Sequence, residues 1–309
     1  MQPIETFEPA THDTFDPVAY LIANSDVMEA GVDPAIHFKE FGANEGRRQV
    51  NRLLMPGSEY RSDKLLRFSP ILYNGYRSDG SMPIYYGGIP ASLSEYASES
   101  ANNDFGPFVD EIYANPNNLY LDLGCGLRPR VFPNCLYIEV YPSITADIIM
   151  EPACTYPIAD ASLDGIGCFA VLEHVPEPWI VVQEMRRMLK PGGKVWIDWP
   201  FLQPVHGYPS HYFNTTREGL VSIFKNAGFT VDIARTLRNQ TPDHTISWLL
   251  GKFVNDCPDE NMRDRIMSMS VRDLLSEKPG SEFWSSVLDM YEDTSISEFA
   301  CGNTLVAHL

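Results

Sequence analysis

The stretch 116–236 constrains the fold more than any other part of the chain. Short apolar runs at 119–123, 136–140, 147–150, 163–169, 194–199 and 230–234 alternate with turn-rich or helical segments. Between the fourth and fifth runs, Trp179, Val182, Met185 and Leu189 recur at helical spacing, and Pro191-Gly192-Gly193 is a stop signal. A second helix is predicted to open at Thr215, with Glu218 completing a capping box, and to end near Gly228. Strands alternating with helices predict a parallel sheet with right-handed crossovers. A strand-like run at 304–309 follows a charged, helical stretch at 237–300. The expected fold is therefore α/β and Rossmann-like. It has a seven-stranded, mostly parallel sheet with helices on both faces and a helical insertion at 237–300 before the last strand.

The first strand ends in Asp122-Leu123-Gly124-Cys125-Gly126. Glycines at a strand end let main chain approach a ligand where a Cβ would collide. Ligands of doubly wound sheets sit at the carboxyl ends of the strands, so Glu139, at the end of the next strand, is placed to accept hydrogen bonds from a ribose. A strand, a glycine pair, a second strand and a terminal acid together point to a nucleoside-bearing ligand.

Charge narrows the partners. The 309 residues carry 23 Lys plus Arg against 41 Asp plus Glu, a net charge of −18. Such a chain repels phosphate backbones and anionic membrane surfaces, so nucleic acid is not expected. No apolar run approaches the roughly 20 residues of a membrane span. The first 16 residues lack the basic and apolar segments of a signal peptide. The six cysteines show no CxxC and no metal spacing, which suits reduced thiols in a cytoplasmic enzyme.

Several ordered strings resemble the class I S-adenosylmethionine-dependent methyltransferases. They are LDLGCG at 121–126, Glu139, YPIADASLDGI at 156–166, VLEHV at 171–175 and EMRRMLKPGGKVWI at 184–197. The resemblance implies S-adenosyl-L-methionine as cofactor. It implies that Asp122, Gly124, Cys125 and Gly126 face its methionine part, that Glu139 binds its ribose, and that Glu151 and Ala153 flank its adenine. Ala170 and Val171, after the fourth strand, are expected nearby. The sequence departs from the family at the loop, where a third glycine is absent and the next strand follows after ten or so residues. The usual first helix must be very short or missing. Arg128 either compensates by pairing with the cofactor carboxylate or is a solvated loop arginine.

A methyl on a sulfonium is already reactive, so the enzyme must mainly align the acceptor and exclude water. A hydroxyl acceptor needs a base, and histidine suits that task. His206 is the first candidate; His174, in VLEHV, and His211 are the others. Each has a plainer role as an organiser of its loop. Asp198, His206 and His211 form a hard-to-intermediate donor set, but no tight ligand spacing supports it and no metal is expected. Trp199, Phe201, Tyr208 and Tyr212 either offer faces to a sugar ring or pack the loop against 53–115.

The segment PFLQPVHGYPSHYFNTTREGL at 200–220 resembles methyltransferases encoded with polysaccharide-assembly enzymes, with His211 where an acid is common. Residues 1–52 are expected to form a helical module, with helix starts at Asp16-Pro17 and Asp33-Pro34 and the second helix ending at Gly42 and Gly46. Its FDPVAYLIANSDVMEAGVDPAIHFKEFGANEGR string resembles a short repeat of bacterial surface-glycan proteins. Residues 53–115 are read as a linker and substrate-side cap, and 116–309 as the methyltransferase domain. The expected activity is O-methylation of a sugar or glycan precursor, with a small metabolite such as a quinone or polyketide as the alternative acceptor. A non-catalytic scaffold in glycan assembly is the other class. Residues 1–52 either serve as a helical hairpin for packing or homo-oligomerisation, or dock a glycan-assembly partner.

Overall fold

A computed structural model describes residues 2–88, 91, 104–206, 210–301 and 304–305. The chain opens with β1 (Ile4–Glu5), β2 (Phe7–Pro9), α1 (Pro17–Ala23), α2 (Ser25–Glu29) and α3 (Pro34–His37). Asp16 and Asp33 cap α1 and α3: each carboxylate accepts two first-turn amides, and the proline that follows has no donor to satisfy. A π-helical turn (Phe38–Gly42) and α4 (Ala43–Glu45) stop at Gly46, whose φ of 66° is left-handed. Then come β3 (Arg48–Val50), α5 (Glu59–Phe68), β4 (Ile84–Tyr86) and α6 (Gly106–Ala114). The next elements are β5 (Tyr120–Leu123), β6 (Arg130–Val131), β7 (Cys135–Glu139), β8 (Ile148–Met150), β9 (Leu163–Phe169), α7 (Pro178–Met188), β10 (Leu189–Asp198) and α8 (Arg217–Asn226). The last helices are α9 (Pro242–Asn255), α10 (Glu260–Ser268), α11 (Val271–Ser276), α12 (Glu282–Leu288) and α13 (Asp293–Glu298).

Six strands form one sheet in the order β10-β9-β5-β7-β8-β4, with every neighbouring pair parallel. The α/β, Rossmann-like expectation is met at this level. Alternation along the strands divides the core. Leu121, Leu123, Leu136 and Ile138 pack with Val181, Val182 and Met185 of α7. Tyr120, Cys135 and Tyr137 pack on the other face with Phe108 and Ile112 of α6. Because both faces are covered, every residue of β5, β7 and β8 is buried, as a parallel sheet requires.

The strand order reverses beside β5: the chain runs outward through β7 and β8, then returns to lay β9 against the opposite edge of β5. Crevices open at such switch points. The crossover from β5 to β7 contains β6 but no helix. The face it would have covered is filled by Ala19, Val50 and Leu54 from the N-terminal elements, and β1 pairs antiparallel with β6.

Five details differ from the expectations. Residues 230–234 form no strand. Of the run 304–309, only 304–305 are among the described residues and they are not strand, so the described sheet has six strands rather than seven. The sixth strand is instead β4, from the stretch read as linker and cap, where three half-polar residues gave little signal. Helix α7 stops at Met188 and β10 begins at Leu189, so Pro191-Gly192-Gly193 lies inside an edge strand. The register with β9 shifts between Leu189 and Lys194, which is how an edge accommodates a proline and a left-handed glycine. Thr216, not Thr215, caps α8, and its hydroxyl accepts from Gly219 N–H. Helices α9 to α13 enclose a small core of their own, with Phe253, Ile266, Phe283 and Val287 buried.

Candidate active site

The turn after β5 is held by main chain. The amides of Gly124 and Cys125 both donate to the Ile138 carbonyl at 3.0 Å, tying the turn to β7. Gly124 and Gly126 have φ of 71° and 54°, a region that strains any residue with a Cβ. A Cβ on Gly124 would also lie 2.3 Å from Cγ2 of Val171. Val171 follows β9, so the two sides of the switch point meet at this glycine. Ala170 itself has φ of 54°, a strained value for a residue with a side chain, at the strand end where sites concentrate such strain.

Glu139 turns toward this turn. Its Oε2 accepts from Gly126 N–H at 2.8 Å and its Oε1 from Val140 N–H at 2.8 Å. Burial pushes its carboxyl up to about 7, although the two amides and Arg128 oppose the shift. Ser143 and Thr145 hydroxyls donate to the Gly126 carbonyl at 2.8 and 2.6 Å and fix the far end of the loop. An acid on one strand facing a Cβ-free cradle on the next fits an adenosyl group: each carboxylate oxygen keeps a lone pair for a ribose hydroxyl.

Two expected cofactor contacts are spent elsewhere. Arg128 forks onto Asp122, Nε to Oδ2 at 2.6 Å and Nη2 to Oδ1 at 2.8 Å, and its guanidinium lies 5.6 Å from the centre of the Phe169 ring. Both side chains are buried. Asp122 points off a strand covered on both faces, so it needs a cation partner there, and Arg128 is that partner rather than a clamp on the cofactor. The Cys125 side chain is likewise fully buried. Its main chain alone is left for a ligand.

Glu151 and Ala153 line an open cavity of about 450 Å³ with Tyr73, Tyr86, Glu184 and Arg187. Glu151 accepts from Gly88 N–H at 2.9 Å, and a Cβ on Gly87 would meet it at 2.7 Å. The cavity lies at the carboxyl ends of β4 and β8, one strand beyond Glu139.

The three histidines come together. Ring centres of His174 and His206 are 5.3 Å apart, of His174 and His211 5.3 Å, and of His206 and His211 4.7 Å. His174 follows β9, while the other two come from the loop after β10. That loop is folded back: Trp199 Nε1 donates to the Phe213 carbonyl, and Tyr212 N–H donates to the Glu173 carbonyl. Tyr208 lies outside the described residues. His211 has both nitrogens engaged. The Asn214 amide nitrogen donates to Gln203, so its oxygen accepts from His211 Nε2 at 2.8 Å, and His211 Nδ1 accepts from His206 N–H at 3.3 Å. His211 therefore organises the loop. His174 and His206 each direct Nδ1 at a carbonyl, of Ser210 and Pro204, at 2.9 Å. Burial lowers both pKa values. Asp198, a member of the donor set weighed from sequence, is instead held by the side-chain amides of Asn239, at 2.9 Å, and Gln240. The sequence reading missed Glu173, which is wholly buried beside His174 and which burial pushes up to about 8. Its only trace in sequence was an acid inside an apolar string.

A family described as a methyltransferase domain matches residues 136–197. An uncharacterized protein of a Streptomyces fradiae transposon is 28% identical over 160 residues, which is 40% of this chain and 46% of that protein. An uncharacterized methyltransferase of Mycobacteroides abscessus is 36% identical over 81 residues, 22% of this chain and 31% of the relative. The chain thus spans less than half the length of these curated relatives. Among solved structures, the Bacillus subtilis YcgJ protein is similar at 15% identity with a TM-score of 0.35, covering 52% of this chain and 86% of that one.

Proposed function

We propose that the chain is an S-adenosylmethionine-dependent methyltransferase. The observation that carries this reading is Glu139 facing the Gly124–Gly126 turn from the adjacent strand, at the switch point of a parallel sheet. Gly124, Gly126 and Val171 would hold the methionine part, Glu139 the ribose, and Glu151 with Ala153 the adenine side. The cofactor supplies an electrophilic methyl; the protein aligns an acceptor and keeps water out.

The acceptor side is the histidine group. His206 Nδ1 donates to the Pro204 carbonyl, so Nε2 bears a lone pair, and its lowered pKa keeps it unprotonated near neutrality. It is our first choice for the group that takes the acceptor's proton, with His174 beside it. Tyr212 and Phe201, on the same loop, leave about half their surface exposed, which suits stacking against a sugar ring. Together with the polysaccharide-type motif at 200–220, this favours O-methylation of a sugar or glycan precursor. The setting would be cytoplasmic, and residues 1–52 would mediate assembly contacts.

The test is a binding titration with S-adenosylmethionine, followed by transfer of labelled methyl to a glycan extract and, in parallel, to hydroxylated quinones. Saturable binding with label in the glycan arm supports the reading. Label in the quinone arm alone redirects it to a small metabolite. A chain that binds no cofactor would sink it.

A further inference from the structure

We infer that Glu173, His174 and His206 form a site for a divalent transition-metal ion of the zinc class. One donor atom from each of the three lies within 4.8 Å of the others. Glu173 is fully buried, and neither carboxylate oxygen has a hydrogen-bond partner among the described residues. His174 Nε2 stands 3.9 Å from its Oε1, too far for a hydrogen bond. Folded proteins seldom leave a buried carboxylate without a donor or a cation, because water's solvation has been given up for nothing.

The imidazoles supply the second observation. A carbonyl oxygen can only accept, so the contacts to Ser210 and Pro204 place the proton of both rings on Nδ1. Both Nε2 atoms are left with lone pairs. Metal-binding histidines are commonly oriented in this way, by a backbone acceptor on the opposite nitrogen. His211 props the pair without offering a free nitrogen of its own.

Two neutral imidazoles and one carboxylate form the three-ligand, open-position set of catalytic zinc sites, and other divalent transition ions accept it too. With bonds of about 2.1 Å, tetrahedral donors sit roughly 3.4 Å apart. The three donors, now within 4.8 Å of one another, must therefore draw together when the ion binds. Both histidines are partly exposed, which leaves a way in for the ion.

Binding of the ion is independent of methyl transfer; its use there rests on the proposed function. Nε2 of His206 cannot both hold an ion and take a proton. With the ion bound, the metal would lower the pKa of the acceptor hydroxyl, whose proton would leave to solvent instead of to His206.

The experiment uses the full chain, stripped with a chelator and titrated with Zn²⁺ and Co²⁺. The expected result is one equivalent bound per chain, visible absorption bands from Co²⁺, and a raised Tm. Glu173→Gln and His206→Ala should each weaken binding by at least about tenfold. His244→Ala, an exposed histidine elsewhere, should not. His206→Ala changes a loop residue, so it remains informative even if Glu173→Gln fails to fold. No stoichiometric binding, or binding unchanged in His206→Ala, would overturn the site. So would a Glu173→Gln chain that is more stable and binds the ion as before, since Glu173 would then be a neutral buried acid. A cofactor titration on the same samples separates the two proposals: cofactor binding without metal binding refutes only the ion, and the reverse refutes only the methyltransferase reading.

Discussion

Glu139 is a buried acid whose environment carries a measurable consequence. Its folded pKa, about 7, lies above the ordinary 4.5, so folding favours the neutral form. The stability this contributes is fully present below about pH 4.5 and is lost as pH rises toward 7. The cofactor-free chain should therefore lose up to roughly 2–3 kcal/mol between pH 5 and 8 that Glu139→Gln does not lose. Denaturant melts across that range check it, and the same variant should weaken S-adenosylmethionine binding by about tenfold or more in calorimetry. Arg128 presents the opposite case, a buried charge used for structure. Arg128→Ala should cost about 3–5 kcal/mol in chemical denaturation, because Asp122 is left buried and alone. Among the histidines, His206→Ala should lower kcat by about 10²–10⁴ with cofactor Kd unchanged, and His211→Ala should lower it less. Equal losses in the two would put the base, or the ion, elsewhere.

At the level of elements, the turn after β5 explains why glycine is required. Left-handed backbone and the methyl groups of Val171 both exclude a side chain at Gly124. Gly124→Ala should abolish detectable cofactor binding in calorimetry, and adding Val171→Ala should recover only part of it, because the clash is relieved but the φ strain is not. The strands around this turn were legible from their apolar runs, and so was the missing crossover helix, from a connection too short to hold one. The short strand β4 was not, since three residues in a Tyr- and Gly-rich stretch become a strand only by pairing with β8. Nor was the start of β10, where the pairing with β9 overrides the turn chemistry of Pro191-Gly192-Gly193.

For the molecule as a whole, the N-terminal elements complete the core on one face of the sheet. Thr6 donates its hydroxyl to the Arg128 carbonyl at 2.5 Å and its amide to Pro129, and Ala19, Val50 and Leu54 close the face left open by the absent helix. A variant lacking residues 2–52 should melt at a lower temperature and expose apolar surface to a hydrophobic dye; unchanged melting would show that these contacts carry little energy. Sequence alone determined the α/β class, the glycine turn and the acid beside it, because hydrophobic periodicity and backbone permissiveness act over a few residues. Tertiary structure alone decided that Arg128 serves Asp122, that three histidines from two loops share one corner, and that Glu173 lies beside two of them without a donor among the described residues. The histidine corner joins segments about 30 residues apart, and Arg128, only 6 residues from Asp122, reaches it because the intervening loop folds back over the strand end; neither relation is visible in local periodicity.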